Sequence, residues 1–153
     1  MLNGVPDGVS YRAQVLNLVM SAFLCHSLLT EADYATTLTK AFAVFWFASG
    51  LQCRLAPEAG IKAWGGSDDP SSANKFCVKV MGQNLASLSV YMLSIANGVD
   101  PLKAIGYWLA GGALSIAGFI LDGKEIEEEV GLPVSKLYPW VVILGVAAAT
   151  LAL

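Results

Sequence analysis

Charge is what this chain has least of. Aspartate, glutamate, lysine and arginine make up 14% of its 153 residues, where an ordinary soluble domain carries about 25%. A basic field is missing too. Nine Lys and Arg against twelve Asp and Glu leave a net charge of −3, which argues against nucleic acid as a partner. One histidine, His26, is too few for a zinc centre or a histidine-based catalytic set, and no partners for either are visible. The three cysteines, Cys25, Cys53 and Cys77, are odd in number and lie in or beside apolar stretches. They read as free thiols acting as small hydrophobes, not as a disulfide framework. No Asn-x-Ser/Thr acceptor occurs. Neither G-x-S-x-G nor H-E-x-x-H is present, which lowers the expectation of a hydrolase. The N-terminal MLNGVPDGVSYRAQVL holds Asp7 and one basic residue, unlike a transit peptide or a secretory signal. Insertion through internal spans, or a targeting segment further upstream, is the expectation.

What the chain has in abundance is hydrophobicity, 56% of residues with a mean hydropathy of +0.60. Residues 102–121, LKAIGYWLAGGALSIAGFIL, contain a single charge, Lys103, at one end. A helix of that length matches a bilayer core of about 30 Å. Four further apolar segments are drawn at residues 9–29, 38–55, 76–96 and 134–153. The first includes Arg12, Gln14, Asn17 and His26, so it is a span packed on protein or an interfacial helix. The last is regular from Trp140, about 21 Å at 1.5 Å per residue, and reaches a full crossing only with the turn before Pro139. It ends with no polar flank, so a further C-terminal tail is one expectation. The fold class is therefore all-α, an integral membrane bundle of four to five transmembrane helices in one domain over residues 1–153.

Breakers separate the segments. Pro57 follows the second, and Asn97-Gly98 with Asp100-Pro101 follow the third. Residues 56–66 read as a short interfacial helix, and residues 122–136 as an acidic one holding Glu125, Glu127, Glu128 and Glu129, a solvated face or a docking surface for a basic partner. Arg12, Arg54, Lys62, Lys75, Lys79, Lys124 and Lys136 fall on one side of the layer, and Lys40 and Lys103 on the other. By the positive-inside rule the first side is cytoplasmic, stromal or matrix. Tyr11, Tyr34, Trp64, Tyr107, Trp108, Tyr138 and Trp140 fall near span ends as an aromatic belt, whereas Trp46 lies mid-span and is assigned to helix packing.

Small residues mark candidate contacts. Gly106, Ala110, Ala113 and Ala117 share one face of residues 102–121, and Gly111, Ser115 and Gly118 another. In lipid such faces allow the close approach that holds helices together, so this span is expected to touch protein on two sides. Lys79, Gln83 and Asn84 form a polar cluster at membrane depth, either a functional site or an interhelical hydrogen bond. His26 fits a hydrogen-bonded helix contact, or an axial ligand to a tetrapyrrole metal, which needs one protein ligand. The G-x-x-x-x-G-K spacing of residues 118–124 lacks the strand and the Ser or Thr of a phosphate loop and is read as coincidence.

Leu55-Ala-Pro57, Trp64-Gly65, Gly82 and then Lys103-Ala-x-Gly-Tyr107 resemble the pattern of a loose group of small, uncharacterised four-helix membrane proteins. The resemblance covers residues 38–153 and implies a four-helix bundle without assigning an activity; residues 9–29 depart from it. In type, without a shared motif, the chain is also similar to small accessory subunits of algal photosystem supercomplexes. That likeness implies a thylakoid location, contact with other membrane subunits, and chlorophyll, carotenoid or lipid as cofactors. The expected function is a non-enzymatic accessory subunit. The alternatives are a small transporter or channel using Lys79, a respiratory accessory subunit in the mitochondrial inner membrane, or a lipid-active enzyme using His26 or Cys25.

Overall fold

The computed structural model describes residues 11–64, 66 and 68–153, so residues 9 and 10 of the first segment and Gly65 of the Trp-Gly pair lie outside the described residues. Among the described residues the protein is all-helical, with no strand. The long helices are α1 (Tyr11–Leu29), α2 (Ala35–Leu55), α4 (Ser72–Ala96), α5 (Pro101–Leu121) and α7 (Tyr138–Ala152). Two short ones, α3 (Pro57–Ala63) and α6 (Gly123–Val130), sit between them, and a 3-10 turn at Val134–Lys136 leads into α7. Two stretches, Pro101–Leu121 and Val134–Ala152, are long and apolar enough to cross a membrane.

Local chemistry sets the boundaries. Ser71 caps α4, its hydroxyl accepting from the Asn74 N–H at 3.3 Å, which starts that helix four residues before its apolar run. At the far end Gly98 takes φ +79°, and the Val99 N–H closes back on the Ser94 carbonyl at 3.0 Å, a glycine-terminated helix end. Asp100 then accepts from the Leu102 and Lys103 N–H groups at 2.9 and 3.3 Å, with Pro101 in the first turn. The four-residue link between α4 and α5 thus closes one helix and opens the next.

Sequence neighbours are spatial neighbours. The most extensive packing is α2 on α4, then α5 on α7, then α4 on α5, and α1 meets α2 sparingly. The order α1–α2–α4–α5–α7 is an up-and-down row with α4 at its centre. Helices α3 and α6 fold back on the end where α2 finishes and α4 begins.

Small side chains fill the contacts. From α2, Thr39, Ala43, Gly50 and Cys53 are buried, and from α4, Gly82, Ala86, Ser87 and Ser89. A Cβ added to Gly82 would stand 2.5 Å from the Gly50 carbonyl oxygen, 2.6 Å from the Cys53 Cβ and 2.9 Å from the Arg54 nitrogen. A Cβ on Gly50 would meet the Gly82 oxygen at 2.5 Å. The two backbones are therefore in contact, and nothing larger than hydrogen fits at either position. On the other side of the row, a Cβ on Gly106 would lie 2.8 Å from the Ala152 nitrogen in α7, and one on Gly111 would lie 2.7 Å from the Ser87 hydroxyl in α4. Buried hydroxyls bond within their own helices: Thr39 donates to the Ala35 carbonyl at 2.8 Å, Ser89 to Leu85 at 2.7 Å and Ser27 to Phe23 at 2.9 Å.

Replacing Gly82 by Ala is expected to lower the stability of the purified protein by about 1–3 kcal/mol, the usual cost of forcing a methyl into a filled contact. Gly145→Ala, where an added Cβ meets nothing within 4 Å, should be neutral or slightly stabilising through helix propensity. Thermal unfolding of the two variants side by side checks the contrast.

Candidate functional site

Two arrangements of side chains stand out, a polar clasp at one end of the row and an apolar groove along α4. The clasp is centred on Arg54, in the last turn of α2. Its guanidinium donates to the Asp122 carboxylate at 3.0 Å and lies 4.7 Å from the centre of the Phe119 ring. Phe119 packs in turn on Phe76 at 5.4 Å between ring centres. Gly118 makes the seat, since a Cβ there would be 3.1 Å from an Arg54 nitrogen. The arginine side chain is 18% exposed and the aspartate 37%, so the pair is partly desolvated and stronger than a surface pair, while losing one partner leaves the other uncompensated. It joins the ends of α2 and α5 across the start of α4.

The same end carries two further ion pairs, Lys75 to Glu58 at 2.6 Å and Lys62 to Asp68 at 3.2 Å. Lys75 hydrogen-bonds and attracts the Glu58 carboxylate and so holds its pKa below the usual glutamate range. A depressed carboxyl contributes stability above its unfolded value and loses it as pH falls through the folded one. Acidification below the glutamate range should therefore loosen α3 from α4, measured as faster amide exchange over residues 57–63, while the α2–α4 contact stays protected.

The groove has a volume of about 750 Å³. Its floor is the outer face of α4, with Val78, Met81, Gly82, Asn84, Leu85 and Leu88. Trp46 and Cys53 of α2 with Gly60, Ile61 and Trp64 at α3 form one wall, Trp108 of α5 stands on the other, and Ser21 reaches in from α1. Three of the four tryptophans of the chain line it. Trp46, assigned from sequence to helix packing, packs on Phe42 at 5.7 Å between ring centres and also borders this space. Trp108, assigned to the aromatic belt, faces the groove as well.

The sequence-derived cluster is divided by the fold. Gln83 reaches across to α5, donating to the Gly111 carbonyl at 3.2 Å and to the Ser87 hydroxyl at 3.4 Å. Lys79, one turn earlier on the same side, also has a partner. Asn84 is rotated away from both, exposed on the groove floor. His26 and Cys25 are exposed in the last turns of α1 and are not groove residues. Among the described residues no three His, Cys, Asp or Glu side chains come together as a metal centre. On α5, Gly106, Ala113 and Ser115 are buried, and Ala110, Gly111, Ala117 and Gly118 are half-buried. Gly106 faces α7, Gly111 faces α4 and Gly118 faces Arg54.

The clasp was not anticipated from sequence, although a signal existed: Arg54 and Asp122 both end apolar segments whose parity puts them on one side. Arg54→Leu should destabilise the solubilised protein by about 2 kcal/mol, in the range for hydrogen bonds to charged groups. A double-mutant cycle with Asp122→Asn should show the two changes to be less than additive. Additivity would mean the pair is not coupled.

Comparison with known proteins finds no matching family model, no matching curated protein and no matching solved structure.

Proposed function

We propose that the chain is an integral membrane bundle of four to five spans and serves as a non-enzymatic accessory subunit of a larger membrane complex. The observation that carries this reading is an inverted distribution of side-chain size. Most residues buried between the long helices are Ala, Gly, Ser, Thr and Cys, while Leu18, Val19, Val44, Phe45, Met81, Leu114, Val142 and Val146 are exposed. Water would penalise that surface heavily. Hydrocarbon does not, and there small residues are what brings helices together.

The accessory role is supported by the ends of the row. Ala148 is the buried residue of α7, whose opposite face presents Trp140, Val142, Ile143 and Val146. Helix α1 likewise exposes Val15, Leu16, Leu18, Val19 and Phe23. Both terminal helices have an open flank on which neighbouring subunits can pack. A photosynthetic supercomplex is the version that likeness of type favours, with a respiratory complex as the alternative; chlorophyll or carotenoid contact and a thylakoid location belong to that version. The transporter alternative has less support, because Gln83 is engaged with Gly111 instead of facing a passage.

The chain should stay in the membrane pellet through alkaline carbonate and should float with liposomes after reconstitution. After gentle solubilisation it should migrate in size fractionation well above its own micelle, together with other subunits. Release by carbonate would overturn the membrane placement, and migration alone would overturn the accessory role. The subunit list and absorption spectrum of the intact complex would identify its parent.

A further inference from the structure

We propose that the groove along α4 is a binding site for an uncharged, elongated lipid bearing one hydroxyl or carbonyl group, which the side-chain amide of Asn84 hydrogen-bonds. The inference rests on the membrane reading and adds a ligand class and a site to it.

Position comes first. The groove begins beside Ile61 and Trp64, next to the clasp end, and runs from Val78 to Leu88 on α4. Ten residues at 1.5 Å each span about 15 Å, which is half of a hydrocarbon core of about 30 Å. The space thus covers the depth of one leaflet, from the headgroup level to the middle of the bundle, and opens sideways where a lipid can enter. Its volume falls within the range of small-molecule sites, about 300–1,000 Å³. Trp46, Trp64 and Trp108 give it rigid walls from three separate segments.

Polarity narrows the ligand. Asn84 lies within this apolar face, six residues below Val78, and its amide makes no hydrogen bond to any described residue. Gln83, one position earlier, donates to the Gly111 carbonyl of α5 and to the Ser87 hydroxyl of its own helix. In hydrocarbon an unpaired amide is costly, so a ligand that pairs with it has an advantage over an alkyl chain that does not. Charge at the mouth argues for a neutral ligand: Lys62 and Lys75 are matched by Asp68 and Glu58, leaving no basic group on α3 free to attract an anion.

The test uses the full-length chain reconstituted in vesicles, with flotation scored first so that a failure of membrane placement is seen separately. A long-chain fatty alcohol carrying a photoactivatable diazirine is then crosslinked and its sites are mapped by mass spectrometry. Labelling is expected over residues 78–88 and at Trp64, and it should saturate. Excess unlabelled alcohol should compete about tenfold better than the matching alkane, as one hydrogen bond implies. Asn84→Leu should abolish that difference, and Leu88→Trp, which fills the groove, should abolish the saturable labelling. Val142→Trp, on the open face of α7, should change neither. Labelling that does not saturate, or that falls equally on the outer face of α7, would reduce the groove to ordinary lipid contact and overturn the proposal. So would equal competition by alcohol and alkane on the unmodified chain, a comparison that needs no variant to fold. Crosslinks of α4 to a second copy or another polypeptide in place of the probe would overturn it as well.

Discussion

The contact of α2 and α4 through Gly50 and Gly82 is the constraint on which the rest of the row depends. Because the two backbones touch there, the register of the pair is fixed to within a fraction of a turn. Arg54, four residues beyond Gly50, is then carried alongside α4 to reach Phe119 and Asp122 on the far side, at the end of α5. The same register holds Cys53 beside Gly60, so that α3 can fold back under the end of α2, and it brings Trp46 and Trp64 to one side of α4. The clasp and the groove are two consequences of one close approach. Dispersion between close atoms carries such a contact, and one methyl group at the crossing removes much of it.

Around this centre the helices divide their surfaces by size. The faces turned inward are small and often hydroxylated, the faces turned outward large and apolar. Helix α5 shows the division on both flanks, meeting α7 through Gly106 and α4 through Gly111. Among the described residues, α1 packs on α2 and α7 on α5 at the two ends of the row. The four well-packed helices α2, α4, α5 and α7 are joined in succession, each touching the next.

Much of this order was legible in the sequence because long apolar helices advertise themselves by length and composition. The span drawn at residues 102–121 differs from α5 by one residue, since Pro101 opens the helix and Asp100 caps it. The starts of α2 and α4 lie three and four residues before their apolar runs, because caps and polar first turns extend a helix beyond the part that hydropathy detects. The small faces of α5 were visible as a pattern, but not which helix each would meet. Gly82 stood in the four-helix pattern and Gly50 in none, and neither pointed to the other, because their pairing is a relation between residues 32 positions apart in sequence. Lys79, Gln83 and Asn84 looked like a cluster because they are close in sequence. A step of about 100° from Gln83 to Asn84 sends one side chain into the α4–α5 contact and the other to the groove.

The habit of Ser27, Thr39, Ser89, Ser94 and Thr150 of donating back to the carbonyl one turn earlier bears on how such a protein is made. On the proposed membrane reading, each of these segments would enter the bilayer with those hydroxyls already satisfied, before any neighbour is present. Gln83 differs, because its amide donates to the Gly111 carbonyl of the following helix as well as to Ser87 on its own. On the same reading, that bond would form between two segments that follow each other directly in the chain.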